Sequence, residues 1–401
     1  MLDLTISQSN AVSLQITEAG QGQFFLVAAP KRYDKVHEVV SNAYTQIADA
    51  IIKNQMEIVH ERIFGTVSVE SAVMAARHEV LSKRSLSGHN PVTYIQGRPP
   101  CGEGFAGVII HAVSCAGPNS EVWTIFDDGV ACGRGWVRYG NTFLILQDIQ
   151  GSRNQSQTCC NCESQTRQMI ERAERLLKQQ GASYQNVIRT WFYLSDILSW
   201  YGDFNKARNA IYGELGIMPE PGRERLLLPA STGIRGDNPQ GTAATMDLIA
   251  VVGSSSSRTV VNQMANPHQK DAFRYGSAFS RGAFIREKDI SLIQVSGTAA
   301  IDRAGKSMYP GDIHAQINCT FEKIETLIDL EGATLHDICA ATVFVKKAEY
   351  ADIFREMAEA RGLENFPGVC VVADVCRDEL LFEIDAEVAF NNKGSSYNSL
   401  T

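Results

Sequence analysis

The sequence lacks any apolar run approaching the roughly 18 residues that cross a bilayer, so no membrane-spanning helix is expected and the chain reads as soluble. It also lacks an excess of positive charge. With a net charge of −8 and no Lys/Arg cluster interleaved with aromatics, attraction to a phosphate backbone is not expected, and nucleic acid is set aside as a partner. Zinc and nucleotide signatures are missing too: no H-x-x-x-H, no H-E-x-x-H, no G-x-x-x-x-G-K-[ST], and no G-x-G-x-x-G between a strand and a helix. Three of the ten cysteines crowd together as Cys159, Cys160 and Cys162, but no second C-x-x-C supplies a fourth ligand, so they read as a thiol-rich loop and no metal is expected. The N-terminal MLDLTISQSNAVSL has neither the basic start nor the unbroken apolar core of a secretory signal. A cytoplasmic setting with reduced thiols and no disulfides is therefore the expectation.

What is present is an ordinary globular composition, 44% hydrophobic and 20% charged over 401 residues, enough for two or three domains that each bury a core. The dominant signal is self-similarity. ERAERLLKQQGAS (171–183) aligns without a gap on EKIETLIDLEGAT (322–334), pairing Gly181 with Gly332 as helix C-caps. A β-branched and aromatic strand follows each (VIRTWFYLSD, ICAATVFVKK), then a second helix (DFNKARNAIYGEL, EYADIFREMAEARGL), a proline (Pro229, Pro367) and two further strands. Hairpin-like pairs precede each copy at 133–151 and 280–298.

The unit is thus ββαβαββ. Residues 1–118 repeat the order more faintly, with Pro91 in the proline position. The closing strands carry Asp247 before Ala250 and Glu383 before Ala386, and Ile109 stands where the first unit would have its acid. The expected fold is α+β, with three such units packed as a single-chain pseudo-trimer. Its parts are a diverged unit at 1–118, a unit at 119–255, a linker at 256–271, a unit at 272–391 and a frayed tail at 392–401. The alternative is two units behind an unrelated cap domain.

SGTAAID (296–302), PGDIHAQ (310–316), the helix ending in Gly-Ala and FEIDAEVAF (382–390) resemble the YjgF/Rid family, whose chorismate-mutase-like units form trimers with small-molecule sites in the clefts between subunits. RTWFYLSDI (189–197), PASTGI (229–234) and ADVCRDELLFEID (373–385) are similar to its chorismatase branch, whose members hydrolyse chorismate or convert it to hydroxybenzoates without metal or organic cofactor. That branch places a mechanistic cysteine seven residues before a catalytic glutamate, and Cys376 and Glu383 keep that spacing. The resemblance thus implies a cofactor-independent enzyme, monomeric or weakly oligomeric, acting on a small carboxylate substrate. Three departures stand beside it, one being that the histidine-bearing stretch chorismatases carry after SGTA is replaced by DRAGKSMYPGD. The arginine that Rid deaminases carry two residues after the proline is replaced by Thr93, Ser231 and Val369, and the arginine-rich second helix of chorismatases is replaced by DFNKARNAIYGEL.

Strand alternation turns Glu383 away from Phe382 and Ile384. In a cleft between units, desolvation makes such a carboxyl a general acid for an enol ether. Cys376 is the accessory group, a thiolate if Arg377 lowers its pKa. Arg235, Arg281 and Arg189 are the candidate anchors for substrate carboxylates, with Tyr193, Tyr275 and Thr298 lining the cleft beside Gly297. Two other functions remain open: a Rid-type deaminase or hydrolase of enamines and imines, and a non-catalytic ligand-binding pseudo-trimer.

Overall fold

In a computed structural model, which describes residues 3–9, 11–31, 35–151, 162–219, 227–253, 259–269 and 271–392, the two helix-ending glycines take the left-handed backbone that their position requires. Gly181 and Gly332 have φ of 72° and 80°. The amides that follow close the helix ends, Ala182 onto the Leu177 carbonyl and Ala333 onto that of Ile328. Each is followed by the same short turn, a capping box of Ser183 with Asn186 in one copy and of Thr334 with Asp337 in the other. The first unit uses Gln55 at φ 51° instead of glycine, one reason its signature is faint.

The elements of the first unit are β1 (Asp3–Gln8), β2 (Val12–Ala19), β3 (Gln23–Pro30), α1 (Val36–Asn54), β4 (Met56–Gly65), α2 (Glu70–Lys83), β5 (Thr93–Gln96) and β6 (Phe105–Ser114). The second has β7 (Asn119–Asp127), β8 (Val130–Arg138), β9 (Asn141–Gln150), α3 (Cys162–Gln179), β10 (Val187–Leu194), α4 (Ile197–Glu214), β11 (Ala230–Arg235) and β12 (Ala244–Val252). The third has β13 (Val260–Met264), β14 (Gly282–Arg286), β15 (Ile290–Ala299), α5 (Ile313–Asp329), β16 (Ile338–Val345), α6 (Tyr350–Glu359), β17 (Gly368–Val372) and β18 (Phe382–Asn391). All three units build a six-stranded sheet of one topology: β1-β2-β3-β6-β4-β5, β7-β8-β9-β12-β10-β11 and β13-β14-β15-β18-β16-β17. Within the three sheets β4–β5, β10–β11 and β16–β17 pair in parallel and the other described strand pairs antiparallel.

The fold is therefore the expected α+β pseudo-trimer, with one added feature: a leading strand precedes the ββαβαββ order in every unit. In the third unit that strand is β13, which falls inside the stretch 256–271 read as a linker and pairs with β14 from Val260 to Met264. The tail from 393 onward, and Cys159 and Cys160, lie outside the described residues.

Each sheet packs its helices on one face, giving three separate cores. The other faces meet in a fourth, central core that joins residues of all units, among them Phe25, Phe64, Trp136, Trp191, Ile285 and Phe344. β6, β10 and β16 are buried along their whole length, on both faces of the sheet, which is why their sequences show little polar alternation. Around the central core the units are clamped by buried polar pairs that cross their boundaries: Arg62 to Glu387 (3.0 Å), Arg138 to Glu287 (2.6 Å), Arg189 to Asp385 (3.3 Å) and His60 to Asp247 (2.9 Å).

Matched pairing rows fix which residues are equivalent. One row reads Thr93–Arg62–Ile109, then Thr232–Trp191–Asp247, then Val369–Thr342–Asp385. The next reads Ile95–Phe64–Gly107, Ile234–Tyr193–Thr245 and Val371–Phe344–Glu383. Asp247 therefore corresponds to Asp385, not to Glu383, whose counterparts are Thr245 and Gly107. A slip of two residues keeps a side chain on the same face of a strand, which is why counting back from alanine hides it. By the same rows Thr232, not Ser231, stands at the position of Thr93 and Val369.

Candidate active site

Three clefts lie where a fifth strand of one unit meets the neighbouring sheet: β5 against β9, β11 against β15, and β17 against β3 and β6. Two are filled. Between units 1 and 2, Asp247 accepts bonds from Thr93 Oγ1 (2.6 Å) and the Asp148 amide (3.0 Å) and faces His60 Nε2 at 2.9 Å. Between units 3 and 1, Val369 packs so closely on Gly107 that a Cβ there would sit 2.8 Å from its methyl carbon and from the Ala28 carbonyl.

The cleft between units 2 and 3 is open. It encloses about 520 Å³ of empty space including its mouth, lined by Tyr201, Arg208, Ser231 and Gly233 from unit 2 and by residues of unit 3 that include Phe279, Arg281, Gly297, Cys376, Arg377 and Glu383.

Glu383 sits on β18 at the floor, 4% exposed. Its carboxyl lies over the bare backbone of Gly297, where a Cβ would meet Oε1 at 2.2 Å, so glycine is what makes room for it. Burial, reinforced by the negative charge of Asp385, raises its pKa to about 8, with Arg189 and Arg281 pulling the other way. At neutral pH it holds a proton. If that proton is the one delivered in the reaction, turnover is expected to be level through neutrality and to fall about tenfold per pH unit above the pKa, a profile that kcat measured against pH will check.

Cys376 is drawn into the same cleft but not as a thiolate. Burial lifts its thiol to about 12, Glu383 adds to the rise, and the opposing effect of Arg377 is smaller. Arg377 also spends a donor on the Gly305 carbonyl at 2.7 Å. The thiol therefore acts as a weak hydrogen-bonding group beside Glu383 and the Tyr201 hydroxyl, which itself lies next to Ser277.

Of the anchors expected from sequence, Arg281 is in the cleft, 4% exposed, with its guanidinium carbon 5.3 Å from the Phe279 ring centre. Arg189 is not. It points to the axis behind Glu383, stacked at 4.3 Å on Trp191 and bonded to Thr232 and Asp385, and burial draws its pKa down to about 10. Arg235 lines a separate pocket, about 580 Å³ of empty space including its mouth, where the units meet, and is bonded at 2.7 Å to Asp374. Tyr193 is buried in the central core against Phe64. Thr298 donates back to the Ser296 carbonyl of its own strand, and its neighbours Gly297 and Ala299 line the cleft instead. Tyr275 closes a short 3-10 turn, and its side chain lies outside the described residues.

The group that the sequence reading missed is Arg208. It is buried on the inward stripe of α4 that also carries Phe204, Ile211 and Tyr212. Among the described residues five arginines have essentially no exposed surface, and four of them face carboxylates: Arg62, Arg77, Arg138 and Arg189. Among the described residues Arg208 has none; it donates to Asn205 Oδ1 (2.6 Å) and is stacked among Phe204 (5.0 Å), Phe192 (5.8 Å) and Phe279 (6.0 Å). A buried guanidinium opening onto a cleft without a counter-charge is a seat for an anion. The helix read as lacking the family's arginines carries this one on its buried face.

Fold and cleft together define a single-chain pseudo-trimer of Rid-like units in which, among the described residues, the cleft between β11 and β15 is the open one of the three equivalent clefts. Comparison with known proteins agrees. The family model described as Endoribonuclease L-PSP matches residues 277–390. A chorismatase of Streptomyces hygroscopicus is 25% identical over 223 residues, covering 51% of this chain and 62% of that protein, so the match spans under two thirds of that relative. A 3-hydroxybenzoate synthase of the same organism is 23% identical over 340 residues, covering 72% of this chain and 93% of that one. A crystal structure of a chorismatase shares the fold at a TM-score of 0.59 and 21% identity, over 82% of this chain and 92% of that one. Residues 277–390 thus match the L-PSP family model, and the chain as a whole is similar to chorismatase-like proteins.

Proposed function

We propose that the cleft between units 2 and 3 takes chorismate or a similar unsaturated cyclic dicarboxylate, and that Glu383 removes or rearranges its enolpyruvyl group by acid catalysis. The observation that carries this reading is a buried carboxyl, its pKa raised by desolvation, facing a cleft walled by Arg208, Arg281 and Arg377. Glu383 gives its proton to the methylene carbon of the enol ether, leaving an oxocarbenium ion on the carbon bound to the ether oxygen. Water adds there, and the hemiketal breaks down to pyruvate and the ring alcohol as its proton returns to the carboxylate. If the ring carbon–oxygen bond breaks in place of water attack, pyruvate leaves with the ether oxygen, and the ring cation loses a proton to the carboxylate to give a hydroxybenzoate. The relatives named above support this reading, as does the spacing of Cys376 and Glu383 on the same cleft.

Incubation of the purified protein with chorismate, followed by assay for pyruvate and by chromatography for hydroxybenzoate, tests it; no turnover from mildly acid to mildly alkaline pH would overturn it. Arg208→Met is expected to raise KM about 30-fold to 100-fold with a smaller effect on kcat, the loss of one charge-assisted hydrogen bond to a bound carboxylate. Steady-state kinetics separate the two.

Arg281 beside Glu383 favours a second reading, hydrolysis of a small imine or enamine acid held by one guanidinium. Ammonia release from an enamine generated in situ, without pyruvate release from chorismate, would select it. The aromatic platform of Phe279 between Arg208 and Arg281 suits a ring with two carboxylates better.

A further inference from the structure

Two carboxylates, Glu383 and Asp385, lie one strand period apart on the same inward face of β18, and both are buried. Two such groups in a desolvated site do not both carry charge without a large cost, so their surroundings decide which one does. The surroundings are unequal. Asp385 Oδ2 accepts from Thr232 Oγ1 at 2.8 Å and faces Arg189 Nη2 at 3.3 Å. Arg189 in turn donates to the same Thr232 hydroxyl at 2.7 Å, so guanidinium, hydroxyl and carboxylate form a closed triangle that joins unit 2 to unit 3. Glu383 stands over Gly297 on the cleft side.

We propose that Asp385 is a positioning residue for Glu383: the triangle with Arg189 and Thr232 fixes the negative charge of the pair on Asp385 and leaves the proton on Glu383, ready for delivery into the cleft. The arrangement occurs only in the third unit. The matched pair is Thr245 and Asp247 in the second unit and Gly107 and Ile109 in the first. This inference rests on the acid role proposed for Glu383, but its test does not need turnover.

The charged and titratable groups that face Glu383 are Asp385 on its own strand, Arg189 on β10, Arg281 before β14, Cys376 and Arg377 on the loop before β18, and Arg208 and Tyr201 on α4. The cations among them favour the ionised form, and burial, the larger cause of the rise, stays in every variant, so Asp385 is the anion whose loss is expected to lower the pKa of Glu383. In protein labelled with carbon-13 at glutamate carboxyls, the Glu383 resonance is the one absent from Glu383→Gln.

Its titration midpoint is expected to move down by about one pH unit or more in Asp385→Asn. Thr232→Val, which weakens the hold on the Asp385 charge and leaves both carboxylates in place, is expected to move it the same way by less. If chorismate is turned over, the alkaline limb of kcat shifts down with the resonance and activity recovers on acidification, a rescue that a merely structural role would not give. An unmoved midpoint in both folded variants would overturn the proposal. A shifted midpoint without turnover of chorismate in any variant would leave it standing and overturn the substrate reading.

Discussion

Glu383→Gln is expected to lower kcat by about a thousandfold while the dissociation constant for chorismate changes little. The amide keeps the size and most of the hydrogen bonding of the protonated carboxyl but has no proton to deliver, and positioned acids contribute on the order of 10² to 10⁴ in rate. Arg208 and Arg281, which hold the substrate in this account, are untouched. Isothermal titration for binding and single-turnover measurement for chemistry separate the two effects. Binding and turnover lost together would show that Glu383 anchors substrate instead.

The same substitution carries a signature in stability. The folded-state pKa of Glu383 lies above its value in the unfolded chain, about 4.3, so between there and about 8 the unfolded chain binds fewer protons and wild-type stability falls as pH rises. The amide introduced by Glu383→Gln does not titrate and has no such dependence. The variant is therefore expected to match wild type in urea midpoint near pH 4 and to exceed it at pH 9, by at most about 5 kcal/mol. Equal midpoints at both pH values would mean that the carboxyl ionises in the folded protein without cost, and the acid role would fall with it.

The difference between what the sequence disclosed and what it hid follows from locality. A helix, its glycine cap and the strand after it are read within one segment, so the repeat was legible, and Cys376 with Glu383 on one short stretch before and within β18 was legible for the same reason. Arg281 follows from its turn at the start of the hairpin. Arg208 was overlooked because a single arginine in DFNKARNAIYGEL looks like a solvated charge, although its spacing from Phe204, Ile211 and Tyr212 puts it on the apolar stripe of α4. Arg189 and Tyr193 were read as cleft residues because nothing in one strand tells which buried face looks to a cleft and which to the axis; only the packing of three sheets does. The equivalence of Asp247 with Asp385 needed the neighbouring strands, since a slip of one full period leaves the apolar pattern intact.

Arg138→Met should be among the most damaging single changes outside the cleft. Arg138 is completely buried on β8 and touches all three units: Glu287 at 2.6 Å and both Asp289 oxygens at 3.1 Å in unit 3, and the Gln21 carbonyl at 2.6 Å in unit 1. Burial already holds the pKa of Glu287 above the ordinary carboxylate range despite this arginine, so without it the carboxylate is left desolvated with only Gln23 as a donor at 3.1 Å. Breaking one side of a buried pair costs about 3–5 kcal/mol. The deficit, read from urea midpoints, is expected to be largest at neutral pH and to narrow on acidification, because protonating Glu287 removes the unpaired charge. Arg138→Met combined with Glu287→Leu should recover most of it, since the hydrophobic pair leaves no buried charge unmatched. A double variant as unstable as the single one would place the loss in the Gln21 and Asp289 contacts, and would make the joint between the units one of backbone and surface charge in place of the buried pair.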